Sequence, residues 1–502
     1  MELSGKRVLV LGLGVHGGGL GVARWLLRQG AQVTVTDLAE PAALAAPVAA
    51  LDAAATALGT TVAYTLGAHR DEDFANTDLV VANPAVSPSS PWLARATAAG
   101  VPIETEMTLF FRACRGPILG VTGTKGKTTT ALLLAAMLRE RFPDTVAAGN
   151  LRVSALEALA TIGPQTPVVL ELSSFQLERL GTAGLSPRYS LLTNLSPDHL
   201  NWHGTMEAYA AAKRQIYRHQ GADGVLVLNG ADDGSAEYAT LWEDGRTIGG
   251  HPIWVGAGPH WSRVRSRYPQ PNVRAVDTRV ERHHDAVTWF DLRGHFGAPT
   301  PLAGEPLFAI SEVRLPGAHN LYNAMLAAAL ARAFGCDSAA IRTALRNFTG
   351  VEHRLELVRE LAAVRYVNDT TATNPVAALA GLAAIETPLI LIAGGADKQL
   401  TFQALGAAIA RRVKALVLLE GSATPRLLEA IAASGLPQAE TSLATVSGPF
   451  GAFAEAIAAA RALAEPGDTV LLSPGCASFG MFQNEFQRGE EFRRIVGEFE
   501  QA

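Results

Sequence analysis

The chain has 502 residues, 48% of them hydrophobic, and a formal net charge of −5; this suggests about three domains with ample core material and argues against nucleic acid or an anionic membrane as partner. Its three cysteines, Cys114, Cys336 and Cys476, are far apart, which excludes a disulfide framework or paired-cysteine zinc site and fits a reducing cytoplasm. The N-terminus runs straight into a strand without a small-residue cleavage site, so no signal peptide is expected, and apolar stretches such as residues 131–138 are too short to span a bilayer.

In chain order, strands are predicted at residues 7–11, 32–36 and 79–82, with a helix near 21–29 after a glycine-rich turn. The second strand ends at Asp37, and the third runs into Asn83-Pro84-Ala85. A second series opens with a strand at 118–121, the turn Thr122–Thr129 (TGTKGKTT) and a helix at 129–139. Strands at 168–172, 190–193 and 224–228 and a helix at 208–217 follow. A third series has strands near 365–367, 389–393, 415–419 and 469–472 with helices between them.

This alternation predicts an α/β protein with mostly parallel sheets covered on both faces. We expect an N-terminal Rossmann-like domain over 1–105, a central P-loop ATPase-like domain over 106–350 and a C-terminal Rossmann-like domain over 351–502. Polar motifs follow many of the strands, where open parallel sheets bind ligands. Residues 254–301 break the pattern. They are rich in Arg, His and Pro, and read as surface strands and solvated loops inserted in the second domain.

Two glycine-rich turns carry chemistry. In Gly123-Thr124-Lys125-Gly126-Lys127-Thr128-Thr129, backbone N–H groups would face phosphate oxygens and the helix N-terminus would add positive potential. Lys127 would reach the β- and γ-phosphates of ATP, and Thr128 would set its hydroxyl near Mg²⁺. The usual P-loop pattern has glycine where Val121 stands, which marks a variant loop. The N-terminal Gly12-Leu13-Gly14-Val15-His16-Gly17, with Asp37 about 20 residues on, reads alone as a dinucleotide fingerprint, and so admits an NAD-dependent oxidoreductase. That reading leaves TGTKGKTT and the third series unexplained.

TGTKGKTT is followed by Ala148-Gly149-Asn150, by ELSSFQ (171–176), TNLSPDH (193–199) and AAK (211–213), then by GAHNLYN (317–323), EHRLE (352–356), DTTATN (369–374), GGADK (394–398) and SPGCASF (473–479). This ordered set, spanning nearly the whole chain, resembles the Mur ligases. The resemblance implies peptidoglycan precursor synthesis: ATP-dependent addition of D-glutamate to UDP-N-acetylmuramoyl-L-alanine through an acyl phosphate, giving ADP and phosphate. A ligase adding L-glutamate or another amino acid is the nearest alternative, since the residues by themselves do not distinguish D- from L-glutamate. A folylpolyglutamate synthase-like ligase should lack the N-terminal glycine-rich domain. A non-catalytic amidotransferase-partner relative would carry a cysteine zinc cluster that three scattered cysteines cannot build.

By the same resemblance, Lys127, Glu171, His199 and Lys213 are the catalytic set. Thr128, Glu171, His199 and Lys213 would organise two Mg²⁺ sites, with Lys213, otherwise a surface lysine, carbamylated by CO₂. ATP would meet Gly123, Thr124, Lys125, Gly126, Lys127, Thr128, Thr129, Asn320, Asn323, Arg354 and Asp369. The UDP part would be held by Gly14, Val15, His16, Gly17, Asp37, Asn83, Ala85, Asn150, Ser173 and Gln176. Thr373, Lys398, Ser478 and Phe479 would bind the incoming amino acid. Near that pocket the chain departs from the family: Thr371 stands where lysine is expected, Gly480 where an acid is, and Asn484-Glu485-Phe486 swaps the usual order of Phe and Glu. A cytoplasmic monomer with small-molecule substrates, without nucleic acid or membrane insertion, is expected.

Overall fold

The computed structural model describes residues 2–14, 18–84, 86–150, 154–232, 242–243, 246–247, 251–256, 278–291, 304–315, 317–397, 400–435 and 440–500. The chain packs as two compact units: Met1–Arg314 with Ala318–Phe348, and Leu315–Gly317 with Thr349–Ala502.

The first unit contains two large sheets. The N-terminal one is wholly parallel, built from β1 (Arg7–Leu11), β2 (Gln32–Asp37), β3 (Ala63–Leu66), β4 (Leu79–Ala82) and β5 (Ile103–Glu104) in the order β3-β2-β1-β4-β5. Leu9 and Leu11 pack with Phe74 and Leu93 on one face, while Val8 and Val10 pack with Leu26 on the other. Burial on both faces is why this strand reads as a continuous apolar run. Strand order reverses between β1 and β4, which opens a crevice at their carboxyl ends.

The central sheet comprises β6 (Ile118–Thr122), β7 (Val146–Gly149), β8 (Val168–Glu171), β9 (Tyr189–Leu192), β10 (Val225–Asn229), β13 (His251–Gly256), β14 (Thr278–His283), β15 (Ala286–Asp291) and β16 (Glu305–Ala309), in the order β16-β15-β14-β13-β10-β9-β6-β8-β7. Two short strands, β11 (Trp242–Glu243) and β12 (Arg246–Thr247), pair separately. The strands from β14 to β7 in this order are parallel, and β14-β15-β16 form an antiparallel edge. β6 lies inside the sheet, where the connections change direction, so its following loop opens into a crevice.

The expectation of surface strands at 254–301 is corrected here. Trp254, Val255, Val280 and Val287 are fully buried, and their strands extend the central sheet. Apolar residues at strand spacing outweigh the basic composition. The rest of that segment, 257–277 and 292–301, lies outside the described residues. The helices Lys127–Arg139 and Ala318–Phe334 pack on each other. The second is buried from Asn323 through Ala331 and is mostly alanine on that stretch, which permits close approach.

The second unit has one six-stranded sheet: β17 (Glu356–Leu361), β18 (Val364–Asn368), β19 (Leu389–Gly394), β20 (Val413–Leu419), β21 (Thr445–Phe450) and β22 (Thr469–Leu472), in the order β17-β18-β22-β19-β20-β21. Only the β17–β18 pairing is antiparallel. Among the described residues, no helix is long and apolar enough to cross a membrane.

Candidate active site

The loop after β6 is shaped by its glycines. Gly123 has φ 149° and Gly126 φ 79°, in the region L side chains avoid. A Cβ on Gly126 would lie 2.5 Å from Asn323 Oδ1, and one on Gly123 would collide with the Thr193 hydroxyl. The turn is pinned from β9's end. Thr124 N–H donates to the Asn194 carbonyl (2.9 Å), Lys125 N–H to Asn194 Oδ1 (2.9 Å), and Thr193 Oγ1 to the Lys125 carbonyl (2.6 Å). Thr193 and Asn194 received no role from the sequence, although they open the TNLSPDH motif. Their clamp leaves Lys127, with Nζ donating to the Thr124 carbonyl (3.0 Å), at the first position of its helix. The helix begins two residues earlier than predicted, because Gly126 itself caps it.

Beside this loop sits a cluster of charges. The Thr128 hydroxyl donates to Glu171 Oε2 (2.7 Å), and Asn150 Nδ2 donates to Glu171 Oε1 (3.0 Å). Glu171 is buried at the end of β8. A carboxylate and a hydroxyl in contact, next to a phosphate-shaped turn, are the oxygen donors a hard divalent cation takes together with phosphate and water. Lys213 is 2% exposed, with Nζ 3.4 Å from Thr122 Oγ1 and 4.9 Å above the Tyr209 ring centre. Burial pushes its ammonium well below the ordinary lysine range; Lys127 adds repulsion, and Asp198 and Glu171 oppose the shift. The picture of an otherwise solvated surface lysine does not hold.

His199 takes a left-handed turn (φ 51°), is about half exposed, and packs edge-on to Phe175. It touches neither Glu171 nor Lys213 directly. Among the described residues no three His, Cys, Asp or Glu groups form a ready-made metal cage. His203, absent from the sequence reading, lies 3.0 Å from Ser174 Oγ and stacks on Phe175. Its imidazole is pushed down by burial, with smaller contributions from His199 and Lys213.

At the N-terminal crevice, Asp37 is turned onto its own chain. Its Oδ2 accepts Leu13 N–H (2.8 Å) and Gly14 N–H (3.0 Å), and its Oδ1 accepts Ala39 N–H (2.9 Å). Asn83, Pro84, Gly12, Gly18 and Glu106 line a small cavity there. Glu106 accepts from Ser154 Oγ at 2.5 Å, and burial raises its carboxyl above the usual range. Ser173 and Gln176 are joined to each other as a reciprocal cap on the helix Ser174–Thr182. Val15, His16, Gly17 and Ala85 lie outside the described residues.

In the second unit Arg354 is flanked by two non-glycine residues in the left-handed region, His353 (φ 64°) and Leu355 (φ 46°). Such a backbone costs about 1–2 kcal/mol per residue and persists only where the surrounding structure holds it. Asp369, just past β18, accepts from Ser473 Oγ (2.7 Å) and Leu355 N–H (3.3 Å). Burial pushes its carboxyl up to about 7. Thr371 Oγ1 donates to the His353 carbonyl (3.0 Å), and Thr373 N–H to the Thr371 carbonyl (2.9 Å), so the DTTATN turn and the Arg354 turn are one structure. Ser478 is buried and Phe479 is exposed. Lys398 lies outside the described residues. Arg488, which the sequence did not single out, is fully buried and holds this turn through Thr370, donating to its hydroxyl (2.9 Å) and carbonyl (3.0 Å). In the first unit, Asn323 Nδ2 donates to Asn320 Oδ1 (3.2 Å) beside Gly126.

Residues 6–105 match the model for the N-terminal domain of MurD-like Mur ligases, 121–247 that for the Mur ligase middle domain, and 353–476 that for the Mur ligase glutamate ligase domain. A UDP-N-acetylmuramoylalanine–D-glutamate ligase of Roseiflexus sp. (strain RS-1) is 53% identical over 499 residues, covering 99% of this chain and all of its own. A protein of the same name from Streptomyces coelicolor is 37% identical, with 99% of both chains covered. Among solved structures, the UDP-N-acetylmuramate–alanine ligase of Thermotoga maritima superposes with a TM-score of 0.56 at 19% identity, covering 98% of this chain and 99% of its own.

Proposed function

The chain belongs to the Mur ligase family, a three-domain α/β architecture with an ATP-dependent reaction, and we propose that it adds D-glutamate to UDP-N-acetylmuramoyl-L-alanine, releasing ADP and phosphate. The choice of D-glutamate rests on full-length likeness to proteins named for that reaction. The observation that carries the chemistry is the glycine-shaped turn whose Lys127 and Thr128 stand beside Glu171.

In the proposed sequence, an alanyl carboxylate oxygen attacks the γ-phosphorus of ATP, the bond to the β-phosphate oxygen breaks, and ADP leaves. The glutamate amine then attacks the acyl phosphate carbon; the tetrahedral intermediate expels phosphate, and the nitrogen loses its proton. Both steps bring anions together, so fixed cations lower the barrier. Lys127 supplies one on the phosphoryl oxygens. Mg²⁺, held by Thr128 and Glu171 and at a second position by His199 and Lys213, would supply further charge neutralisation at the transferring group. Lys213 suits this as a carbamate: burial and the neighbouring Lys127 favour its neutral amine, the form that attacks CO₂, giving an anionic carboxylate and a proton.

Residues 1–105 would hold the UDP part of the substrate at Gly14 to Gly17, Asp37, Asn83 and Ala85, with Asn150, Ser173 and Gln176 from the central domain (106–350). Asn320, Asn323, Arg354 and Asp369 would complete the ATP site. Thr373, Lys398, Ser478 and Phe479 of the C-terminal domain (351–502) would receive glutamate. We place the enzyme in the cytoplasm, as a monomer. The test is phosphate release from ATP with UDP-N-acetylmuramoyl-L-alanine and a panel of D- and L-amino acids. Release with D-glutamate is expected; none with any member of the panel overturns the reading.

A further inference from the structure

The basic hairpin between β14 and β15 has no part in the site so far, yet the topology carries it to the site's edge. Strands β6, β9, β10, β13 and β14 lie side by side and parallel, so their carboxyl ends share one edge. The Thr122–Thr129 turn leaves β6 at that edge, and the β14–β15 turn opens on the same edge. Four strand spacings of about 4.8 Å separate β6 from β14 by about 19 Å. The helix Ala318–Phe334 covers the space between: it packs on β9, β10 and β13, and its Asn323 lies against Gly126.

Register decides which side chain of the hairpin faces this helix. Leu226, Leu228 and Trp254 share a core with Ile216 and Tyr217 of the helix Met206–Arg218 on one face of the sheet. Paired residues of parallel strands point the same way, so Val227, Ile253, Val255 and Val280 occupy the opposite face, the one Ala318–Phe334 covers. Arg282, two residues beyond Val280, shares that face. Arg279 and His283 point the other way, and both pair with buried Glu281 (2.6 and 2.8 Å). Consistently, the charge of Arg282 acts on Tyr322, which neighbours Asn323 and is two residues from Asn320. The Arg282 guanidinium is exposed and forms no hydrogen bond or ion pair with the described residues.

We propose that Arg282 is a nucleotide-binding residue of this ligase, its guanidinium lying against the adenosine half of ATP on the Asn320 and Asn323 side of the site. The inference rests on the assignment of Thr122–Thr129 as the ATP loop. At about 19 Å from β6, Arg282 is too distant to grip phosphates held at Gly126 and Lys127, so its contact is with base and ribose. A planar, always-charged guanidinium stacks on a purine, which a lysine does less well.

The test is Arg282→Ala, an exposed hairpin position whose truncation leaves the core intact. Kd for ADP and KM for ATP should rise roughly five-fold, the scale of an exposed cation–π contact. The effect should fall in KM for ATP rather than in kcat, with the KM values for UDP-N-acetylmuramoyl-L-alanine and D-glutamate kept. Arg282→Lys should recover less than half of the loss. Inhibition by inorganic tripolyphosphate, which has no base, should be the same in wild type and variant. Unchanged ADP affinity in Arg282→Ala overturns the proposal, and so does tripolyphosphate inhibition weakened as much as ADP binding. Wild-type turnover that does not depend on ATP would instead overturn the assignment of the loop.

Discussion

Among the charged side chains each unit buries near the carboxyl ends of its sheet, two invite comparison: Lys213 beside Thr122 in the first, Asp369 after β18 in the second. Burial pushes both toward neutrality, the lysine down and the carboxyl up. Their surroundings differ. Asp369 is served by two protein donors, Ser473 Oγ and Leu355 N–H, and Gly381 makes room for it, since a Cβ there would lie 2.6 Å from Oδ2. Lys213 has one long hydrogen bond, to Thr122, and the face of the Tyr209 ring, while a second lysine acts against it and Asp198 and Glu171 offset burial only in part. A carboxyl matched by donors of its own chain holds the Arg354 turn in place. An amine so poorly matched is suited to chemical change, and perturbed groups of this kind concentrate at functional sites.

The largest expected effect separates the two roles of charge in the first unit. Lys127→Ala should lower phosphate release about 1,000-fold or more, the upper scale for losing one preorganised donor to the transition state. The same substitution removes the repulsion on Lys213, so the unfolding temperature should hold or rise. Turnover near wild type would sink the role of Lys127, and a large fall in unfolding temperature would show that its charge supports the fold instead.

Lys213→Ala comes next, with turnover down about 100-fold to 1,000-fold. Wild-type protein in ¹³C-bicarbonate should give a carbamate resonance that is missing from the variant. A loss of turnover with no such resonance in wild type would leave Lys213 as a structural amine, and the contrast with Asp369 would collapse.

Much of this was legible in the sequence, and what was not has a common physical cause. The glycine turns, the strand ends and the order of motifs are local signals, and the structure has β1, β4 and β22 at their predicted bounds. Burial of a cation is a tertiary property. Lys213 shares a helical stripe with Tyr209, Ala212 and Ile216, and Arg488 shares one with Phe492 and Val496. In both cases a basic residue stands in register with an apolar face, which was the available signal for a buried role. The strands of 254–301 were hidden in the same way: Trp254, Val280 and Val287 are few among many basic residues, yet they decide the pairing. The clamp of Thr193 and Asn194 on the Thr122–Thr129 turn spans residues 68 and 69 positions apart, so only the fold reveals it.

The smallest effect tests Asp369 through pH. Burial pushes its carboxyl up to about 7 in the folded chain, against about 3.9 for a free aspartate. Between about pH 4 and pH 7 the folded state therefore keeps a proton that the unfolded state has released. Stability contributed by this group falls as pH rises through that window and is level above it. Asp369→Asn has no such proton to lose, and its amide oxygen can still accept from Leu355 N–H while the Ser473 hydroxyl turns to accept. Wild type should therefore lose more of its urea midpoint than Asp369→Asn between pH 5 and pH 8, and the variant should gain relative to wild type at the higher pH. Parallel pH profiles for the two proteins would mean that Asp369 is already charged in the folded chain, and that Arg354 nearby compensates it more fully than burial opposes it.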